Sequence, residues 1–163
     1  VEMIRLKTSV LLAAALKIGA YLADAPAEDA EKLYEFGVKM GLAFQLQDDW
    51  LDVYGAPKVF GKNIGGDILC NKKTFMLITA LGEANEEQRA ALEGWLAARE
   101  YVPAEKIAAV TALYNEIGVG KRCQEMAEAL NAEGFAILDS INLPEERKAV
   151  LKKYACSMLN RNV

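Results

Sequence analysis

The sequence predicts an all-α fold, a helical bundle, on three observations. Apolar residues recur every three or four positions through long stretches, and no segment shows the apolar/polar alternation of a half-buried strand. Only four prolines occur (Pro26, Pro57, Pro103 and Pro144), so the chain between them is free to form helices of several turns. The junctions Gly82–Asn85, Gly118–Gly120 and Asn142–Pro144 are short, as between antiparallel helical neighbours.

In chain order, Met3 to Leu22 is rich in alanine and carries apolar residues at helical spacing, which favours a helix. Asp24 to Glu28 reads as a turn, with Pro26 close to the next helix start, where its missing N–H costs nothing. A second helix is expected from about Glu28 to Tyr54. Gly55 to Asn71 is glycine-rich, holds Pro57, and reads as one long ordered loop. Helices follow over Lys72–Leu81, Glu86–Ala98, Pro103–Ile117, Gly120–Ser140 and Pro144–Leu159. No internal repeat or low-complexity tract interrupts them.

Composition narrows the chemistry. At 163 residues, 53% hydrophobic, the chain is long enough for one domain with its own core and too apolar to stay disordered. It contains no histidine, which removes His-based triads, His general bases and His-ligated metal sites. A di-iron bundle goes with them, because its Glu-x-x-His ligands are missing. A net charge of −4 without a basic run argues against nucleic acid, whose binding rests on neutralised phosphates. Cys70, Cys123 and Cys156 form neither a C-x-x-C pair nor an even set, so free, buried or half-buried thiols in a reducing, cytoplasmic setting are expected. The apolar run Ser9–Leu16 is too short to span a bilayer.

The informative stretch is Phe44-Gln45-Leu46-Gln47-Asp48-Asp49-Trp50-Leu51-Asp52. At about 100° per residue, with Gln45 at the origin, Asp48 falls at roughly −60°, Asp49 at roughly +40° and Asp52 at roughly −20°. The four side chains share one arc, bordered by Leu46, Trp50 and Val53 on one side and by Phe44 and Leu51 on the other. Three carboxylates in two turns repel one another, and a divalent cation is the natural compensation. Oxygen-only ligands suit a hard ion, and Mg2+ takes one or two carboxylates together with waters and phosphate oxygens. The same face continues through Gly41, Val38 and Tyr34, an expected apolar wall below the acids. A solvated acidic patch on a helix is the alternative reading.

Basic residues that could meet a phosphate stand in three places. Lys7-Thr8 lies in an otherwise apolar helix; Lys62 sits in the loop Gly61-Lys62-Asn63-Ile64-Gly65-Gly66-Asp67; Asn71-Lys72-Lys73-Thr74 opens a helix. Glycine lets backbone N–H groups approach an anion, lysine adds a mobile charge, and a helix N-terminus favours negative charge. The spacing is not that of a nucleotide-binding P-loop.

In this order, these motifs resemble the C-terminal half of a trans-isoprenyl diphosphate synthase, the polyprenyl synthetase family that includes farnesyl and geranylgeranyl diphosphate synthases. The resemblance covers nearly the whole chain and is densest from Gly41 to Thr74. It implies a partial isoprenoid synthase fold spanning residues 1–163 and a metal site of Asp48, Asp49 and Asp52 for Mg2+ bridging to an allylic diphosphate. Lys7 and Lys62 match lysines on that diphosphate, and Lys72 resembles a third basic position nearby. Thr8 and Gln45 match side chains lining the catalytic site, with Phe44 and Gln45 close to the isopentenyl diphosphate substrate. Asp67 matches a loop acid that supports a lysine or a metal-bound water, and Arg161 loosely matches a basic residue near family C-termini. The implied reaction is ionisation of the allylic diphosphate, attack by the isopentenyl double bond, proton loss and release of diphosphate.

Family members carry a first aspartate-rich motif in an N-terminal half, and no second Asp-Asp-x-x-Asp occurs in these 163 residues. The expectation is a fragment, inactive alone, whose unpartnered apolar faces drive it into a dimer or larger species, with exchanged helices as one route. Two other readings stand beside this one: a terpene cyclase or squalene/phytoene synthase-like enzyme, and a non-catalytic subunit of a heteromeric synthase.

Overall fold

The structure, a computed structural model, describes residues 1–55 and 64–159. Among them there are helices and no strands. The first predicted helix is present but broken in register. A short α1 (Glu2–Ile4) runs into a π-helical turn over Arg5–Ser9, and α2 (Val10–Leu22) continues from it. Then come α3 (Ala27–Tyr54), α4 (Gly66–Leu69), α5 (Phe75–Glu83), α6 (Glu86–Ala97), α7 (Pro103–Ile117), α8 (Val119–Asp139) and α9 (Glu145–Leu159). The expected loop before Asn71 therefore holds a one-turn helix, α4, and the helix expected from Lys72 starts three residues later.

Local chemistry accounts for these ends. Thr74 caps α5, its hydroxyl oxygen accepting from the Leu77 N–H at 3.2 Å. Asn85 and Gln88 form a capping box at the start of α6. Pro103 opens α7, and Gly118, at φ 83°, closes it in the left-handed conformation.

The chain divides into two compact units. One comprises Val1–Gln47 and the part of α8 from Glu125 on, followed by α9. Its core gathers Phe36, Met40 and Ala43 of α3 with Leu138, Ile141 and Ala155, flanked by Leu12, Leu16, Leu130 and Leu151. Two glycines of α3 set how closely the N-terminal segment approaches. A Cβ on Gly37 would lie 2.6 Å from Ala13 Cα, and one on Gly41 would lie 2.7 Å from Ser9 Cα. The Tyr34–Val38–Gly41 face is thus helix packing where it reaches Gly41 rather than an open apolar wall, and Tyr34 carries the Lys17 ammonium 5.5 Å above its ring. The buried ammonium of Lys148 donates to the carbonyls of Asp139 at 3.0 Å and Ile141 at 3.1 Å, a cation at the C-terminal end of α8 where the helix dipole favours it.

The other unit, Asp48–Gln124, is organised on α7, against which α4, α5 and α6 all pack. Ile68, Met76, Leu77, Ala80, Leu92, Val110 and Tyr114 are buried in it. Among the described residues, no helix is long and apolar enough to cross a membrane.

Candidate active site

Asp48, Asp49 and Asp52 occupy the last two turns of α3. Asp49 is buried, 2% exposed, and Asp48 and Asp52 are half-buried. The solvated-patch reading fails for Asp49, because an ionised carboxylate at that depth must be paired. One partner is Lys72, whose ammonium lies 3.0 Å from Asp49 Oδ1 and 2.7 Å from Asp67 Oδ2. One cation thus bridges an acid of α3 and the acid of the glycine loop. Burial alone would lower the lysine's pKa, but the hydrogen bonds to Asp67 and Asp49 raise it above the ordinary lysine value.

Backbone geometry brings these groups together. The Asp67 N–H donates to Asp52 Oδ2 at 2.9 Å, the Gly65 N–H donates to the Asp52 carbonyl at 2.6 Å, and the Lys72 N–H donates to the Asp67 carbonyl at 2.9 Å. Gly65 has φ 83°, a conformation that favours glycine, and a Cβ there would have to displace the Ile107 side chain, 2.7 Å away. Asp52 is held by the bond from Asp67, and its carboxyl pKa is raised despite the nearby Lys72 charge. Burial raises its carboxyl pKa, the Asp67 N–H works against that, and the charges of Asp67 and Asp48 add to the rise.

That residual charge is the test of whether a metal fits. A half-buried carboxylate with raised pKa beside a second half-buried one is stabilised by an added hard cation, and every donor is an oxygen. Among the described residues, no three Asp, Glu or Cys side chains converge as a ready cage. Mg2+ does not need one, since it completes its shell with water and phosphate oxygens.

In the unit containing the N-terminus, Thr8 lies in the π turn and its hydroxyl donates to Gln45 Oε1 at 3.4 Å. Lys7 beside it is exposed, and Phe44 is half-buried. A π turn shifts the helical register by one residue, the kind of local irregularity found at functional sites. The structure thus joins Thr8 with Gln45, and Asp49 with Lys72 and Asp67. Lys62 and Arg161 lie outside the described residues.

Lys106 escapes sequence reasoning, whereas the burial of Cys123 agrees with the thiol expected there. Lys106, on α7, is 1% exposed and donates to Asn71 Oδ1 at 2.7 Å. Its spacing with Val110 and Tyr114, four and eight residues on, was the available signal that it faces inward. Cys123 is buried with its thiol pushed up to about 12, by burial first and by the Asp49 charge second, so it is no nucleophile. Cys70 and Cys156 are exposed, against the expectation of buried or half-buried thiols; each lies on a solvent-facing position at the end of α4 or on α9.

Residues 1–117 match the family model described as polyprenyl synthetase. A short chain isoprenyl diphosphate synthase of Methanocaldococcus jannaschii is 46% identical over 88 residues, which are 54% of this chain and 27% of that one. The enzyme of the same description from Methanothermobacter thermautotrophicus is 33% identical over 153 residues, 93% of this chain and 43% of that one. Among solved structures, geranylgeranyl pyrophosphate synthase from Corynebacterium glutamicum, complexed with isoprenyl diphosphate and magnesium, superimposes with a TM-score of 0.85 at 30% identity. That superposition covers 97% of this chain and 45% of the other. Each alignment thus takes in less than half of the relative's own length. With a helical fold and residues 1–117 of its 163 matched by that family model, the chain belongs to the polyprenyl synthetase family.

Proposed function

We propose that this chain supplies one side of a prenyltransferase site, in which an allylic diphosphate ionises and is joined to isopentenyl diphosphate. The carrying observation is the placement of Lys72 between Asp49 and Asp67, with Asp52 fastened to the same loop. That arrangement keeps a cation and carboxylates together at the edge of solvent, where a diphosphate and its metal can be received.

In the reaction, the bond between the allylic carbon and the diphosphate oxygen breaks, the isopentenyl double bond supplies the electrons of the new carbon–carbon bond, and a proton is lost. Charge accumulates on the leaving diphosphate. Mg2+ held by Asp48, Asp49 and Asp52 would supply Lewis-acid neutralisation of that charge. Lys7, Lys62 and Lys72 would bind the phosphate oxygens as point charges. Thr8 and Gln45, already joined to each other, would orient the reacting ends, and Phe44 with Gln45 would border isopentenyl diphosphate. Asp67 holds Lys72, and Arg161 is the remaining basic candidate. A cyclase or a non-catalytic subunit has no observation of its own in its favour.

The 163 residues contain a single Asp-Asp-x-x-Asp, so the chain is expected to bind but not to turn over by itself. Isothermal titration of inorganic pyrophosphate in the presence of Mg2+ tests the site. Binding that is lost with a chelator and in Asp49→Asn is expected, and no binding to the folded wild type would overturn the reading. A radiolabelled condensation assay on the same chain is expected to show no product; turnover would overturn that expectation.

A further inference from the structure

Lys106 presents an unexplained cost. Removing an ammonium from water is unfavourable unless strong partners replace the solvent. The contacts of this one are the side-chain oxygen of Asn71, at 2.7 Å, and the face of Tyr101, 4.3 Å from its centroid. An apolar residue of similar length would fill the same space on α7 without that cost, so what the ammonium holds is informative.

It holds a left-handed turn. Asn71 has φ 50°, a conformation that glycine adopts freely and asparagine more readily than other side chains. Both ends of its amide are committed: Oδ1 accepts from Lys106, and Nδ2 donates to the Leu96 carbonyl at 3.1 Å. The Tyr101 hydroxyl donates to the Leu69 carbonyl at 3.3 Å. Three side-chain contacts thus fasten residues 69–71 to the segment running from α6 into α7. The next residue is Lys72, the one whose ammonium bridges Asp49 and Asp67. Lys106, Asn71, Lys72 and Asp67 also line one small cavity of about 10 Å³, hardly room for a single water, so the turn has little space to relax.

We infer that Lys106 is a positioning residue for the site: its buried ammonium fixes the left-handed turn at Asn71 and thereby delivers Lys72 to Asp49 and Asp67. A charged donor suits this role, because its hydrogen bond is about twice as strong as a neutral one, and the Tyr101 ring offsets part of the desolvation. The inference rests on the reading of these residues as a diphosphate site only for its functional meaning; the mechanical statement stands on the contacts.

The experiment is amide hydrogen exchange on the 163-residue chain, comparing wild type with Lys106→Met, Asn71→Ala and the double variant. The Asp67 and Lys72 amides, bonded to Asp52 and Asp67, are expected to exchange roughly tenfold faster or more in each single variant, the effect of losing a charge-assisted hydrogen bond from the closed form. The double variant is expected to exchange no faster than the worse single one, since both remove the same tie. Amides of α2 and α9 should keep their rates. Unchanged exchange at Asp67 and Lys72, or equal acceleration along the whole chain, would overturn the inference. Should Lys106→Met not fold, Asn71→Ala carries the same expectation alone. Pyrophosphate titration with Mg2+ separates the two claims: wild type that binds nothing counts against the diphosphate reading, whereas exchange decides the role of Lys106.

Discussion

Lys72 and Asp49 form an ion pair in which the carboxylate is buried and the ammonium reaches solvent, at 3.0 Å. The asymmetry sets its energetics. Removing the lysine takes a charged hydrogen bond from a buried carboxylate, the costly half of such a pair, whereas removing the acid leaves a lysine that can hydrate.

Lys72→Met is therefore expected to destabilise the fold by about 1–3 kcal/mol, less than a broken fully buried pair because the lysine is partly solvated. Chemical denaturation measures it. Asp49→Asn should cost less, and the double variant less than the sum. The pKa of Lys72 is raised in the fold, so its contribution is fully present below the ordinary lysine value and is lost only as pH rises through the raised one. The difference between wild type and Lys72→Met should accordingly stay level from about pH 6 to 9.

Asp52 carries the opposite sign. Its carboxyl is raised in the fold, chiefly by burial, so the folded state binds a proton more tightly than the unfolded one. A raised carboxyl contributes stability below the unfolded pKa, and that contribution disappears as pH climbs through the folded value. Asp52→Asn keeps an oxygen for the Asp67 N–H and carries no charge. It should raise the melting temperature of the metal-free chain at neutral pH, with the gain vanishing near about pH 3.5 and below, where the wild-type acid is protonated in both states. The same variant should weaken Mg2+-dependent pyrophosphate binding. A neutral-pH loss of stability would contradict this account of the site's charge.

Much of this was legible in the sequence, for reasons that differ residue by residue. Helices α3, α6, α7, α8 and α9 lie within about two residues of expectation because strong periodicity meets explicit punctuation at Asn85, Pro103 and Gly118. Helix α4 was read as loop because four residues are too few to show a period. The π turn at Arg5–Ser9 left no mark because a one-residue slip leaves the apolar pattern of its neighbours intact. The acids of α3 were found from spacing, but their depth was not: Asp49 and Asp52 differ in burial although both lie within the same arc. Lys106 leaves only a weak mark, its spacing with Val110 and Tyr114, because a lone lysine on a helix ordinarily points to solvent.

The π turn is testable through the glycine beneath it. Gly41→Ala would set a Cβ 2.7 Å from Ser9 Cα and 2.8 Å from its hydroxyl, and a backbone atom cannot rotate away. The variant should lose about 1–3 kcal/mol by overpacking. Its thermal unfolding measures that cost. Because Ser9 adjoins Thr8, the Thr8–Gln45 contact should loosen as well, which a shift of the Gln45 side-chain amide resonances would report.

The last expectation concerns association. On α2, Leu11, Ala15, Ile18 and Leu22 are spaced four, three and four residues apart, and all are exposed. Leu11 and Leu22 are 78% and 83% exposed, so this stripe buries almost nothing within the chain itself. Spacing of this kind is the seam along which two helices pack, and continuous exposed apolar surface drives partner formation. The chain is therefore expected to sediment as a dimer or larger species. Ile18→Glu with Leu22→Glu places two charges in that seam at exposed positions, so it should shift the chain to monomer with little change in the unfolding midpoint of that monomer. A wild-type chain that sediments as a monomer at tens of micromolar, or a double variant that stays associated, would assign the stripe some other role.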